Sequence, residues 1–211
     1  PVSYKQETKF EENFWRRIDW KEWSETRGDE VEFEYVRGPV FTRFTPVETT
    51  VRPWGYLIEP GLANVTSLLL DHKISVKRLT ETASIDVETY YAQEITHPAY
   101  FQGHYLKRVK TRKRTEHRVF PAGTFFVPSG QPKSNLISYI LEPETNDNLI
   151  TWGYLDNYLR VTSPVGQQDI RQESGRQSTD FRNQRIPIYR LMKKTNFKSL
   201  LVQRHNKYEE N

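Results

Sequence analysis

The stretch GYLIEPGLANVTSLLLDHKISVKRL, from Gly55 to Leu79, decides the fold that we predict for this chain. Its first residues are typical of a short buried strand, which Pro60-Gly61 ends. Between Leu62 and His72 the apolar residues recur at helical spacing, and ISVKRL is again typical of a strand. A strand, a helix and a strand in so short a stretch predict a compact βαβ unit, with parallel strands and a right-handed crossover.

Further elements follow towards the C-terminus. Strict alternation between Ile85 and Ile95 predicts a long strand, and TFFV at 124–127 predicts another. A helix is expected after Gln131-Pro132, with a buried stripe of Leu136, Ile137, Ile140 and Leu141. Pro143 should stop this helix, and Asp147 is the expected N-cap of a further one. The predicted class is α+β, with a mixed sheet that carries the βαβ unit and two further helices.

The N-terminal part is rich in aromatic residues. In KFEENFWRRIDWKEW their spacing of three and four permits one or two amphipathic helical turns, whereas VEFEYV alternates as a strand that Gly38-Pro39 should break. So many rings seldom stay exposed, because a contiguous apolar patch is an association site. The candidate interface residues are Phe14, Trp15, Trp20 and Trp23.

Three regions emerge from these patterns. Residues 1–50 are expected to be an aromatic-rich entry segment with β-strands, and residues 51–160 an α+β core domain. Residues 161–211 are expected to hold a polar loop, an edge strand and a basic tail. The edge position is inferred from Pro187 in RIPIYRL, because proline cannot donate a hydrogen bond to a neighbouring strand.

Composition excludes several classes of protein. The 211 residues contain no cysteine, so disulfide scaffolds, thiolate metal sites and cysteine nucleophiles are excluded. No apolar run reaches the roughly 20 residues that a membrane-spanning helix needs. The first residues lack the apolar stretch of a secretory signal, so we expect a signal to be absent or already removed.

The net charge of +4 is unevenly distributed. The stretch HYLKRVKTRKRTEHR holds many cations and Glu116 as its single acidic residue, and its alternation is typical of a strand. One hypothesis is a surface for nucleic acid or another polyanion; we favour a solvated edge strand whose charges prevent further pairing, and docking to an acidic face of a neighbouring domain is a third option. The candidate polyanion contacts are Lys107, Arg108, Lys110, Arg112, Lys113 and Arg114.

No motif for catalysis is found. The five histidines form no HExxH pair, and GxSxG, GxGxxG and GxxxxGK[ST] are all missing. Glu142, Glu144 and Asp147 cluster, but a helix end followed by an acidic N-cap accounts for them without chemistry. His72 is expected to cap a helix end. We therefore predict no catalytic, cofactor-binding or metal-ligating residue in this chain.

Four stretches of the sequence resemble a known protein family. They are similar to the C-terminal region of large bacterial zinc carboxypeptidases of the carboxypeptidase A type. The stretches are RPWGYLIEP, LLLDHKISVKRL, HPAYFQGH and FPAGTFFVPSGQPKSNLISYILEPETNDNLITWGYLD. The resemblance covers roughly Arg52 to Tyr158, with a weaker match at Pro187-Ile188-Tyr189. The GQP…LEPET part is the most specific. Lys73 departs from the pattern, because the family tends to have glycine after the helix histidine.

The resemblance implies an accessory domain without the catalytic one. No position here matches the zinc ligands or the glutamate base of those enzymes, so zinc is expected only in the missing catalytic domain of the same polypeptide. It also implies a fragment of a longer, exported protein, periplasmic or extracellular. The alternatives are a stand-alone polyanion-binding module, with nucleic acid the less favoured ligand, and a hydrolase with an unfamiliar dispersed site.

Overall fold

The chain forms two units, Ser3–Thr49 and the part from Thr50 onward. The computed structural model describes residues 3–17, 34–159 and 184–202, with backbone alone before residue 44 and at 98–99. The first unit is an antiparallel ribbon of β1 (Ser3–Arg17) and β2 (Glu34–Glu48).

The ribbon corrects two expectations about the N-terminal part. The helical turns predicted from the aromatic spacing are wrong as far as Arg17, because those residues pair with β2 along their length. Gly38-Pro39 also does not break β2. Pro39 falls at a register shift, between the pairs Asn13↔Gly38 and Lys9↔Val40, where a strand tolerates a residue without an N–H.

The second unit is built on a sheet that has seven strands among the described residues, in the order β6-β5-β8-β3-β7-β4-β9. The bounds of β3 to β9, in chain order, are Gly55–Ile58, Lys77–Leu79, Ala83–Phe101, His104–Phe120, Phe125–Pro128, Gln184–Leu191 and Ser199–Leu201. The described helices are α1 (Ala63–Asp71), α2 (Ser134–Leu141) and α3 (Asp156–Leu159). The α+β class is confirmed, but every described strand pair is antiparallel, so the sheet is not mixed.

The predicted βαβ unit is present in a wider form. β3 and β4 both pair antiparallel with β7, so they run in the same direction, as predicted, but β7 lies between them. The helix between them ends in a Schellman motif, in which the N–H of Lys73 bonds to Leu70 O and that of Ile74 to Leu69 O. Lys73 adopts the left-handed conformation that this motif needs, with φ of 56°.

β8 lies inside the sheet, so the edge position inferred from Pro187 is wrong. The strand pairs with β3 on one side and with β5 on the other. On the β5 side the register shifts between Thr89↔Tyr189 and Tyr91↔Arg185, which leaves Pro187 in a bulge. A bulge removes the need for the missing N–H, so proline is tolerated in an interior strand.

Alternate side chains of β3 belong to two separate apolar clusters, one on each face of the sheet. Tyr56 and Ile58 join the larger cluster, which includes the inner faces of α1 and α2. Leu57 points the other way, into a smaller cluster with Tyr189 and other residues of the sheet. Both faces of the central strands are therefore buried, which explains the continuous apolar run GYLI.

Candidate functional site

The basic strand β6 lies at one edge of the sheet, and the predicted strand is confirmed there. Its alternation separates two sets of side chains. Lys107 and Val109 are buried on the side of the larger cluster. The other set is exposed and consists of Arg108, Lys110, Arg112 and Arg114.

The exposed set has few internal partners. Lys110 Nζ lies 2.9 Å from Glu94 Oε2, and the guanidinium of Arg114 lies 4.9 Å from the ring centre of Tyr91. Arg108 and Arg112 have no side-chain partner among the described residues. Alternate residues of a strand lie roughly 6.6–6.8 Å apart. The four side chains thus present a regular line of positive charge.

Lys113 belongs to the buried side of the alternation, although its own side chain is exposed. Its Nζ donates a hydrogen bond to Thr50 Oγ1 at 3.2 Å and lies 5.7 Å from the ring centre of Tyr90. This cation is therefore directed to the protein, in contrast to Arg108 and Arg112.

Lys107 is not a surface contact, which corrects its place among the predicted polyanion contacts. Its Nζ donates a 2.8 Å hydrogen bond to Asp156 Oδ2, at the start of α3, and only 8% of its side chain is exposed. Gly153 lies directly against this pair, since a Cβ there would lie 3.0 Å from Asp156 Oδ2. The pair joins β6, at the edge of the sheet, to the segment around α3.

His97 belongs to the same neighbourhood. Both of its ring nitrogens, and Oδ1 of Asp156, are buried without a hydrogen-bond partner among the described residues. Burial lowers the pKa of His97, the charge of Lys107 lowers it further, and Asp156 opposes both. Burial and the Lys107 charge therefore favour the neutral imidazole over the imidazolium. Among the described residues, no group of three or more His, Asp or Glu side chains is placed to hold a metal ion.

The acidic cluster separates into three environments, of which Glu142 occupies the most buried. It receives hydrogen bonds from the hydroxyl of Tyr56, at 2.7 Å, and from that of Tyr90. Burial, followed by the Glu142 charge, raises the pKa of both tyrosines, so they remain hydroxyl donors at any ordinary pH. Glu142 Oε1 also lies 3.1 Å from Arg190 Nε, as an ion pair without hydrogen-bond alignment.

Arg190 is held by further groups at its other nitrogens. Nη1 donates to Glu88 Oε2 at 2.5 Å, and Nη2 donates to Thr50 Oγ1 and to the carbonyl of Val51. The Arg190 side chain is only 2% exposed. Sequence analysis missed this residue, because RIPIYRL offers an arginine within a strand pattern and nothing that identifies its partners.

The other two acids bind local groups. Glu144 Oε1 accepts hydrogen bonds from the N–H and the hydroxyl of Thr111, both at 2.7 Å. Asp147 accepts from the indole N–H of Trp152 and is not the predicted N-cap. Asn148 fills the capping role instead, since its Oδ1 accepts from the N–H groups of Ile150 and Thr151. The expected long helix is therefore a series of turns that ends in α3.

On the other face of the sheet, Glu116 collects three donors. It accepts from Tyr91 Oη at 2.5 Å, from Arg118 Nη1 at 3.1 Å and from Thr89 Oγ1 at 3.2 Å. The Tyr91 hydrogen bond is the largest cause of its lowered pKa, and desolvation opposes the shift. Glu116 thus acts as a structural acceptor and reduces the net charge of the basic strand.

The candidate interface residues lie in the other unit or beyond the described ranges. Phe14 and Trp15 lie in β1, opposite Arg37 and Val36. Trp20 and Trp23 lie outside the described residues. At the helix end His72 is the C-cap of α1, as predicted.

Comparison of the chain with protein-family models, curated proteins and solved structures gives no match. In the part of the chain that the structure describes, no helix is long and apolar enough to span a membrane.

Proposed function

We propose that this chain is a non-catalytic accessory domain of a zinc carboxypeptidase, which packs against or targets the catalytic domain of the same polypeptide. The β1–β2 ribbon is the observation that carries the proposal. It forms a unit of its own with two strands, and a two-stranded sheet alone is marginally stable in water. A ribbon that also carries Phe14 and Trp15 is a natural element to dock on a larger body.

The GQP…LEPET stretch supports a scaffolding role. Gln131 bonds through its side chain to the backbone of Ser75 in both directions and to Pro128 O. Glu142 and Glu144 are held as described above, and Thr145 donates to Tyr139 O at 2.6 Å. Because these polar groups are committed to the fold, the stretch that carries the family resemblance serves to join α2 to the sheet. In this proposal the zinc, the bond cleavage and export to the periplasm or outside the cell belong to the whole enzyme.

The test uses the full polypeptide with its peptidase domain. Phe14→Ser combined with Trp15→Ser should lower the melting temperature of the catalytic domain or change its KM. Lys198→Ser is the control, because Lys198 forms an exposed pair with Glu81, outside the strands and far from the ribbon in sequence. Unchanged melting and kinetics after removal of the whole domain, or a reading frame without an HxxE-bearing domain upstream, would refute the proposal.

The line of cations on β6 favours a second candidate, a polyanion-binding module. Arg108 and Arg112 are exposed and have no side-chain partner among the described residues, and the neighbouring cations extend the line. Phosphate or sulfate groups along a polymer would neutralise it, and binding would weaken as salt rises. An acidic face of a partner domain would satisfy the same charges.

Retention on heparin at low salt separates the two candidates. Replacing Arg108 and Arg112 by Ser should abolish retention, whereas Lys113→Ser should change it little because Lys113 is directed to Thr50. Absence of retention by the unmodified chain would dismiss the polyanion candidate and leave the accessory domain untouched.

A further inference from the structure

A pocket of about 390 Å³ opens between α1, α2 and the turns that follow α2. Its aliphatic lining comes from Leu68 on α1, Leu136 and Ile140 on α2, and Leu149 in the turns. This volume falls within the range of roughly 300–1,000 Å³ that is usual for small organic ligands. Such a lining favours a ligand with an apolar body.

Aromatic rings form a second part of the wall, with Tyr139, Trp152 and Tyr154. Trp152 is fixed from two directions. Its indole N–H bonds to Asp147 Oδ1, and its ring meets that of His104 edge-on, with centroids 5.6 Å apart. A ring held in place offers its face to a ligand without the cost of ordering a side chain.

The polar groups of the pocket include one carboxylate, one amide and two imidazoles. Asn148 is committed, because its amide donates to the carbonyls of Pro143 and Thr145 and its oxygen accepts two backbone N–H groups. Asp147 is the single carboxylate in the lining, which also includes His72 and His104, and no lysine or arginine lines the pocket. One oxygen of Asp147 accepts from Trp152, and the other has no hydrogen-bond partner among the described residues.

We propose that this pocket binds an organic cation with an apolar body, either a free arylalkyl amine or the basic side chain of a peptide. The apolar body would fill the aliphatic part between α1 and α2. The ammonium or guanidinium would lie at Asp147, where the carboxylate and the neighbouring aromatic rings both attract positive charge. This site is distinct from the β6 cations, which would attract the opposite charge.

The test measures binding by the isolated chain through the indole N–H resonance of Trp152, assigned with Trp152→Phe. The probes are 4-phenylbutylammonium, the neutral 4-phenylbutan-1-ol, the anionic 4-phenylbutyrate and the peptide acetyl-Ala-Lys-Ala-amide. We expect a saturable shift of the Trp152 resonance with the amine or the peptide, and weaker binding of the alcohol and the anion. The relative affinity of amine and peptide identifies the source of the cation.

Two variants examine the charge and the cavity separately. Asp147→Asn keeps an acceptor for Trp152 and removes the charge, so it should weaken binding of the cation roughly five- to tenfold and leave the alcohol unchanged. Leu136→Trp should fill the cavity and abolish binding of every probe. Asp86→Asn, at an exposed carboxylate on β5, is the matched control and should have no effect.

Three results would overturn the proposal. One is equal binding of the alcohol and the amine, and another is the absence of a saturable shift with either cation while the chain remains folded. The third is a loss of cation affinity in Asp86→Asn that equals the loss in Asp147→Asn. The effect would then come from the overall charge of the protein, and the site would be rejected.

Discussion

Arg190 Nε lies 3.1 Å from Glu142 Oε1, although the two side chains are only 2% and 3% exposed. The pair joins β8, in the middle of the sheet, to the residue that ends α2. Two tyrosine hydroxyls donate to Glu142, and Glu88, Thr50 and the Val51 carbonyl accept from the other two guanidinium nitrogens. A buried charge pair of this kind holds a helix and a sheet in one relative position, because any displacement would leave a charge without a partner.

Arg190→Met should therefore be strongly destabilising. It would leave the Glu142 carboxylate buried among tyrosines without its cation, and breaking one side of a buried pair costs about 3–5 kcal/mol. Urea denaturation measures the loss in the free energy of unfolding. Lys198→Met opens the exposed pair with Glu81 and should change little. Equal effects of the two variants would contradict this account.

Lys73→Gly should stabilise the chain. Lys73 holds φ of 56° at the end of α1, a conformation that costs a residue with a Cβ about 1 kcal/mol relative to glycine. Thermal and urea unfolding should both show the gain. Lys73→Ala is the control, since it removes the same side chain and keeps the Cβ, and should give no gain. A stabilising Lys73→Ala would place the effect in the side chain instead of the backbone.

Glu116 predicts a specific pH dependence. Its pKa is lowered in the folded chain, chiefly by the Tyr91 hydrogen bond, so its contribution is present above the unfolded pKa and is lost as pH falls through the folded value. Glu116→Gln should therefore reduce stability at about pH 7, and this loss should shrink as the pH falls below about 4. Urea unfolding across this range tests it. A loss that stays the same across this range would contradict the role assigned to the Glu116 carboxylate.

The Lys107–Asp156 pair should show measurable coupling. Asp156→Asn leaves a buried ammonium without its anion, but Asp156 is 34% exposed, so we expect a loss of about 1–3 kcal/mol, below that of a fully buried pair. The loss should shrink in a Lys107→Met background, where no ammonium remains. A double-mutant cycle in urea measures the difference. Additive losses would mean that the two residues act independently.

Local patterns predicted the elements of the fold well. The alternation between Ile85 and Ile95 corresponds to β5, and the alternation of the basic stretch HYLKRVKTRKRTEHR corresponds to β6. The stripe from Leu136 to Leu141 corresponds to α2, with Pro143 beyond its end. Each of these signals arises within one element, where side-chain period and chain breakers are sufficient.

What sequence analysis missed depends on pairing between distant segments. Nothing in RIPIYRL indicates that β8 lies between β5 and β3. Pro187 instead indicated an edge strand, because the bulge that accommodates this proline in an interior strand depends on the pairing with β5. The charged pairs of Arg190 and Lys107 follow from that pairing and from the position of α3. The choice of Asn148 over Asp147 as the capping residue turned on one position in the turns, which propensity alone does not decide.

The interior position of β8 has a consequence for biosynthesis. β5 and β3 have no common neighbour until Gln184–Leu191 is inserted between them, so a nascent chain that ends before this strand holds two incomplete sheet fragments. Ordering of the whole sheet must therefore wait until Gln184–Leu191 has left the ribosome. Contacts between residues so far apart in sequence also favour slow folding. Such a chain needs protection from premature association while it is being translated.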